Sequence, residues 1–165
     1  IEDALAATLF DGIDDLAAAR SQEGARLAAV ITDHLGEIAV LAEAASQTAE
    51  AQPKALLNRL RQQLDALIED NEKISDERLA QEVALLAAKS DVREEIDRLK
   101  AHVAASRELL AAGGAIGRRL DFLCQELNRE ANTLCAKAAD IALTRIGLDL
   151  KATIERLREQ AQNIE

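Results

Sequence analysis

Residues 117–137 read GRRLDFLCQELNREANTLCAK, and this stretch decides the fold class. Its apolar residues recur at intervals of three and four positions: Leu120, Leu123, Leu127, Ala131 and Leu134. That spacing follows the period of an α-helix, so these side chains share one face. We therefore predict an amphipathic helix from about Ile116 to Ala138, with a leucine-based seam that packs against other helices.

The composition extends this prediction to the whole chain of 165 residues. Hydrophobic residues make up 48% of the chain, enough for a packed core, and alanine and leucine dominate. A single proline and seven glycines provide too few turn residues for a protein of many strands. The predicted fold class is all-α, an elongated helical bundle with long antiparallel helices.

Local signals place the other helices. We expect a short first helix capped by Asp3, a longer helix through the glycine-interrupted stretch to Gln52, and a new helix that begins at Pro53. Residues 71–76 read as a linker, with Ser75 or Asp76 as the next N-cap. One unbroken helix of about 50 Å should then run over residues 77–111 and protrude from the bundle. Gly113 and Gly114 should end it, and a last helix should follow residue 140.

The composition argues against several kinds of function and against a disulfide bond. The net charge of −10 repels phosphate backbones unless basic residues gather locally, and the two aromatic residues, Phe10 and Phe122, argue against platforms for stacking bases. No apolar run is long enough for a membrane span. Cys124 and Cys135 lie 11 residues apart, about 16 Å on one helix, which is too far for a disulfide. Two reduced thiols, as in the cytoplasm, are therefore expected.

Two polar strips carry possible chemistry. Asp91, Glu95, Arg98 and His102 lie at helical spacing beside an apolar seam, where carboxylates and an imidazole could bind Mg²⁺, Mn²⁺ or Zn²⁺. A row of ion pairs, in which Arg98 neutralises Asp91 and His102 is a partly buried hydrogen-bonding partner, explains the same residues. The second strip has the same spacing and consists of amides and a carboxylate: Asp121, Gln125, Asn128 and Asn132. A polar subunit interface and a catalytic site explain it equally well.

Three segments resemble the YicC family. They are residues 78–102, which begin RLAQEVALLA and contain Asp91, Glu94, Glu95, Arg98 and His102; residues 117–133, GRRLDFLCQELNREANT; and the ending REQAQNIE. The resemblance implies a bacterial cytoplasmic endoribonuclease that is metal-assisted, hexameric and not membrane-bound. Family members are nearly twice as long. Residues 1–75 are therefore expected to join a missing N-terminal domain, and residues 76–165 to form the C-terminal helical domain.

The resemblance also suggests roles for individual residues. It implies Mg²⁺ or Mn²⁺ bound by Asp91, Glu95 and His102, which are also candidates for acid–base catalysis, with Glu94 and Glu126 as competitors. The residues expected to contact RNA are Arg98, Arg118, Asp121, Gln125, Arg129, Asn132 and Lys137. The isolated chain is expected to be inactive. The alternatives are a non-catalytic helical oligomerisation or scaffold module, and a regulatory adaptor of RNA decay.

Overall fold

The computed structural model describes residues 2–67 and 75–164, and every regular element in that part of the chain is helical. The helices are α1 (Glu2–Leu67), α2 (Asp76–Lys89), α3 (Arg93–Ala112), α4 (Gly117–Lys137) and α5 (Ile141–Ala161). The predicted all-α class is confirmed. None of these helices is both long and apolar enough to cross a lipid bilayer.

Four of the helices form a bundle. Helix α1 packs against α3 and α5, and α4 packs against the same two helices, so the four occupy the corners of a four-helix arrangement. Helix α2 lies against α1, outside the bundle. The core is built from leucine, isoleucine and small residues. Its largest fully buried side chains are Ile31, Leu35, Ile38, Ile96, Leu99, Leu120, Leu127, Leu134, Leu143, Leu150, Ile154 and Leu157.

Helices α4 and α5 are antiparallel and approach closely at two glycines. A Cβ atom at Gly147 of α5 would overlap the sulfur of Cys135 on α4, and a Cβ atom at Gly117 would overlap the backbone oxygen of Ile164. Both contacts place the start of one helix against the end of the other. Cys124 is buried, Cys135 is half-buried, and both thiols are free, as expected.

Helix α1 corrects the prediction of three separate segments. It continues through Pro53, although proline removes one backbone hydrogen bond, because the flanking Ala, Glu, Gln, Lys and Leu residues are strong helix formers. Gly12, Gly24 and Gly36 mark no close contacts, since a Cβ atom at each would meet nothing within 4 Å. Residues 31–45 of α1 contribute to the same core as the helices after residue 75. The division at residue 75 stays a prediction.

A break between α2 and α3 corrects the prediction of one helix over residues 77–111. The hydroxyl of Ser90 donates to the carbonyl oxygen of Leu86 at 2.9 Å, and a carboxylate oxygen of Asp91 accepts from the backbone N–H of Arg93 at 3.0 Å. Such side-chain bonds compete with the helical ladder. Asp91 therefore lies in the break, and the strip that begins at Asp91 is not carried by a single helix.

The predicted helix ends at Ser75, Asp140 and the Gly113–Gly114 pair are confirmed, whereas Asp3 is not a cap because α1 already begins at Glu2. The hydroxyl of Ser75 accepts from Arg78 N–H, and the carboxylate of Asp140 accepts from Leu143 N–H. Gly113 and Gly114 follow α3 with φ of 66° and 79°, the left-handed region that favours glycine. Most of the predicted linker 71–76 lies outside the described residues.

Candidate functional site

A row of polar residues lies between α3 and α4. The ammonium of Lys137 is 2.8 Å from a carboxylate oxygen of Glu95, and the guanidinium of Arg98 is 3.5 Å from Glu130. One turn further along α3, His102 lies beside Glu126 and Glu130. Later residues of α3 therefore meet earlier residues of α4, which is the register of an antiparallel pair.

One group of three side chains in the described part of the chain has the geometry of a metal site. A ring nitrogen of His102 and carboxylate oxygens of Glu126 and Glu130 all lie within 4.8 Å of one another. Glu130 is buried, and the other two are half-buried. Two carboxylates and one imidazole suit a divalent cation that prefers oxygen ligands and accepts nitrogen.

The structure places the predicted metal ligands in three different surroundings. Of Asp91, Glu95 and His102, only His102 belongs to the group of three. The carboxylate of Asp91 pairs with Arg93 at 2.7 Å, and these hydrogen bonds lower the pKa of Asp91 to about 2. Glu95 faces Lys137. The α2–α3 break takes Asp91 off helix α3, but Asp91 still lines one open depression of about 710 Å³ together with Arg98 and Lys137.

Glu95 is the most enclosed carboxylate of the row after Glu130. Its side chain is 5% exposed, and one oxygen accepts from Lys137. Its other oxygen, Oε2, is buried and has no hydrogen-bond partner in the described part of the chain. A buried acceptor without a donor is uncommon in folded proteins, so this oxygen is available to a group that can donate to it.

Arg98 occupies the middle of the row. Its guanidinium bonds to Glu94 on the same helix and faces Glu130 across the interface. These carboxylates, with Glu95 nearby, raise the pKa of Arg98. Arg98 therefore balances Glu94 and Glu130, whereas the ion-pair interpretation of the sequence had joined it to Asp91.

A second polar region lies between α4 and α5. Asp121 pairs with Arg158 at 3.1 Å and accepts from the amide of Gln125 at 2.7 Å. The amide of Asn132 donates to Asn128 at 3.2 Å. An open depression of about 370 Å³ is lined here by Gln125, Asn128, Arg129, Asn132, Thr133 and Arg158.

Four of the residues predicted to contact RNA lie on one exposed face of α4. They are Arg118, Gln125, Arg129 and Asn132. The guanidinium groups of Arg118 and Arg129 have no ion pair within residues 2–67 and 75–164. Of the other three, Lys137 and Arg98 are paired with carboxylates across the α3–α4 interface, and Asp121 is paired with Arg158.

Comparison with known proteins decides the family. Residues 45–165 match the family model described as "Endoribonuclease YicC-like, C-terminal". This chain belongs to the YicC-like family. Two relatives named "Probable endoribonuclease YicC" align with 99% of the YicC-like chain: one from Haemophilus influenzae is 40% identical, and one from Clostridioides difficile is 36% identical. The chain spans 57% of the length of each relative.

The matched region contains the whole candidate site of this YicC-like chain. Residues 45–165 include α2 to α5, and therefore both polar regions. Sequence reasoning did not select Glu130 or Arg158, which pairs with Asp121. For Glu130, the spacing of four from Glu126 was a signal, but only the pairing of α4 with α3 shows that both carboxylates face His102.

Proposed function

We propose that this YicC-like chain is the helical part of a metal-assisted endoribonuclease that cleaves RNA phosphodiester bonds. The observation that carries the proposal is the group formed by His102, Glu126 and Glu130 at the α3–α4 interface. The names of the two relatives, both called probable endoribonucleases, support the choice of RNA as substrate. By the family resemblance, the protein would act as a homo-oligomer, a hexamer, in the cytoplasm.

The residues present fit a divalent cation, Mg²⁺ or Mn²⁺. His102 would supply one nitrogen, and Glu126 and Glu130 would supply carboxylate oxygens. When bound, such an ion would polarise a phosphoryl oxygen and acidify a bound water. The nearest carboxylate oxygen of Glu130 is 3.5 Å from the guanidinium of Arg98. This ion pair is long, so the carboxylate of Glu130 can accept a further partner.

Cationic side chains of the chain itself would bind the phosphate. Arg98 is positively charged at physiological pH, as arginine always is, and it lies in the same row as His102. A guanidinium can hold two phosphate oxygens at once. Lys137, at the other end of the row, would act as a point charge if phosphate displaced its contact with Glu95. Asp121, Gln125 and Asn132 would orient ribose or water.

The experiment measures RNA cleavage by the complete gene product with Mn²⁺ or Mg²⁺. His102→Ala and Glu126→Gln should each lower the cleavage rate by at least about 100-fold, because each removes a ligand or a proton acceptor. Glu108→Gln is the matched control, since Glu108 lies on α3, is exposed and is outside the group. Undiminished cleavage by both site variants would contradict the proposal.

Binding of Mn²⁺ to the 165-residue chain provides a second readout. Titration followed by electron paramagnetic resonance should show one site per chain, and Glu126→Gln should weaken it. This measurement does not depend on catalytic activity.

A second candidate function is a helical oligomerisation or scaffold module, or a regulatory adaptor. It is favoured by the internal neutralisation of the row, in which Lys137 pairs with Glu95 and Arg98 pairs with Glu94 and Glu130. It is also favoured by the exposed apolar residues near the start of α1: Leu9, Phe10, Ile13 and Leu16. A stable oligomer without affinity for metal or RNA supports the scaffold. An effect on RNA only when a partner nuclease is added supports the adaptor.

A further inference from the structure

The exposed face of α4 combines an aromatic ring with basic and amide side chains. Arg118, Phe122, Gln125, Arg129 and Asn132 follow one another at intervals of three and four, and all five are exposed. Phe122 is 59% exposed, although burying a phenylalanine is favourable by about 2 kcal/mol. A single exposed apolar side chain is ordinary on a protein surface. Phe122 differs from the similarly exposed Phe10 in its neighbours, because basic and amide side chains border it on the same helical face.

The charge on this face differs from that of the whole chain. Helix α4 carries four basic and three acidic residues, whereas α1 carries eleven acidic and five basic residues. The net charge of −10 is therefore concentrated in α1 and does not describe α4. Arg118 and Arg129, on either side of Phe122, have no ion pair in the part of the chain that the structure describes. Their charges are free to attract an anionic partner.

The spacing suits a nucleic-acid strand. Along the helix axis, Phe122 lies about 6 Å from Arg118 and about 10 Å from Arg129. Arginine side chains can cover the remaining distance to phosphates on either side of a base that rests on the ring. Gln125 and Asn132 border the depression next to Arg129, where their amides can bond to a base edge or a ribose hydroxyl.

Although the low aromatic content argued against a stacking platform, we infer that this face of α4 binds single-stranded RNA, with a base stacked on the Phe122 ring and with Arg118 and Arg129 on the backbone phosphates. The inference rests on the proposed function for its ligand and adds a substrate-positioning residue. Phe122 is one helical turn before Glu126, so the two side chains are neighbours on α4. A base held at Phe122 therefore places its adjoining phosphodiester beside the group of His102, Glu126 and Glu130.

The absence of tryptophan and tyrosine makes the test direct. Phe122→Trp introduces the only tryptophan of the 165-residue chain, and a base that stacks on it should quench its fluorescence. Titration at low salt with a 12-nucleotide oligoadenylate should give saturable quenching, whereas inorganic tripolyphosphate, which has no base, should give none. Phe10→Trp is the matched control, because Phe10 is 66% exposed and lies on α1. No quenching at position 122, or equal quenching at both positions, overturns the inference.

Affinity measurements test the same contact without a reporter. Stacking of a base on an aromatic ring is worth about 1 to 3 kcal/mol, so Phe122→Ala should weaken oligoadenylate binding by about 5- to 150-fold. Phe122→Tyr should restore binding, and Phe10→Ala should leave it unchanged. Arg118→Ala and Arg129→Ala should each lower the slope of log affinity against log salt by about 0.7. If Phe122→Ala changes the mass in solution and not the RNA affinity, the ring is a contact between proteins and the inference is wrong.

Failure of this inference is distinguishable from failure of the proposed function. Glu126→Gln should abolish cleavage by the complete gene product. Added to the Phe122→Trp variant, it should leave the fluorescence quenching by oligoadenylate within about twofold of its original value. Quenching without metal-dependent cleavage contradicts the proposed function alone. Cleavage that depends on Glu126, combined with unchanged RNA affinity in Phe122→Ala, contradicts the inference alone.

Discussion

The ion pair between Lys137 and Glu95 should be worth more than an ion pair on the surface. The two groups are 2.8 Å apart, with Glu95 5% exposed and Lys137 35% exposed. Lys137→Met removes the cation and leaves a buried carboxylate whose Oε2 already has no partner. Loss of one member of a fully buried pair costs about 3 to 5 kcal/mol, and because Lys137 is one-third exposed we expect about 2 kcal/mol here.

The chain contains a matched control for this variant. Lys100 and Glu43 form a second Lys–Glu pair of 2.8 Å, but these side chains are 41% and 56% exposed. Lys100→Met should therefore cost less than about 0.5 kcal/mol, because water solvates the remaining carboxylate. The two pairs have the same length and residue types, and burial is the main difference between them.

Thermal and urea unfolding followed by circular dichroism provide the assay. For a chain of this size, 2 kcal/mol corresponds to a fall in melting temperature of about 4 to 8 °C. In the double variant with Glu95→Gln, the two effects should not add, because both remove one interaction. A loss at Lys137 no larger than that at Lys100 would refute the reasoning.

Three further predictions concern packing, pH and thiol chemistry. Gly147→Ala should destabilise the bundle by about 1 to 2 kcal/mol, because the added Cβ atom overlaps the sulfur of Cys135. Gly36→Ala should stabilise it by up to about 1 kcal/mol, because the added Cβ atom meets open space. Urea unfolding measures both changes. The pKa of Asp91 is lowered from 3.8 to about 2, so its ion pair stabilises the fold fully above pH 4, and this contribution is lost as the pH falls through about 2. Asp91→Asn should therefore be less stable than the original at pH 7, by no more than about 1 kcal/mol because the pair is exposed, and the difference should disappear only below pH 2. Burial raises the pKa of Cys124 to about 12. Ellman's reagent should therefore modify at most one thiol of the folded chain, that of Cys135, and both thiols in urea. Rapid modification of both thiols in the folded chain would contradict the burial of Cys124.

Much of the fold could be predicted from local pattern. The leucine spacing of residues 117–137 predicted α4, and Ser75, Asp140, Gly113 and Gly114 predicted helix ends that the structure confirms. These features depend on interactions between residues within one or two helical turns of each other. A local stretch of sequence is therefore enough to predict them. The errors at Pro53 and at residues 90–92 arose where two local preferences competed, and neighbouring propensity or side-chain capping decided the result.

Helical spacing predicted the site residues less well than it predicted the helices. Helical spacing placed Asp91, Glu95 and His102 in one row, but a row on one helix does not bring three ligands to one point. Residues at i and i+7 are about 10 Å apart along the axis, so a metal between them needs donors from a second helix. Glu126 and Glu130 provide those donors.

The helical class, most helix ends, the apolar seams and the family resemblance could be read from local sequence patterns. Which polar residues meet could not, because it depends on the fold: the antiparallel register of α3 on α4 joins His102 to Glu126 and Glu130, and Glu95 to Lys137. The two kinds of information differ in range along the chain. Periodicity and capping are settled within a few residues, whereas the register of two helices depends on how all their seams pack together, as at Gly147.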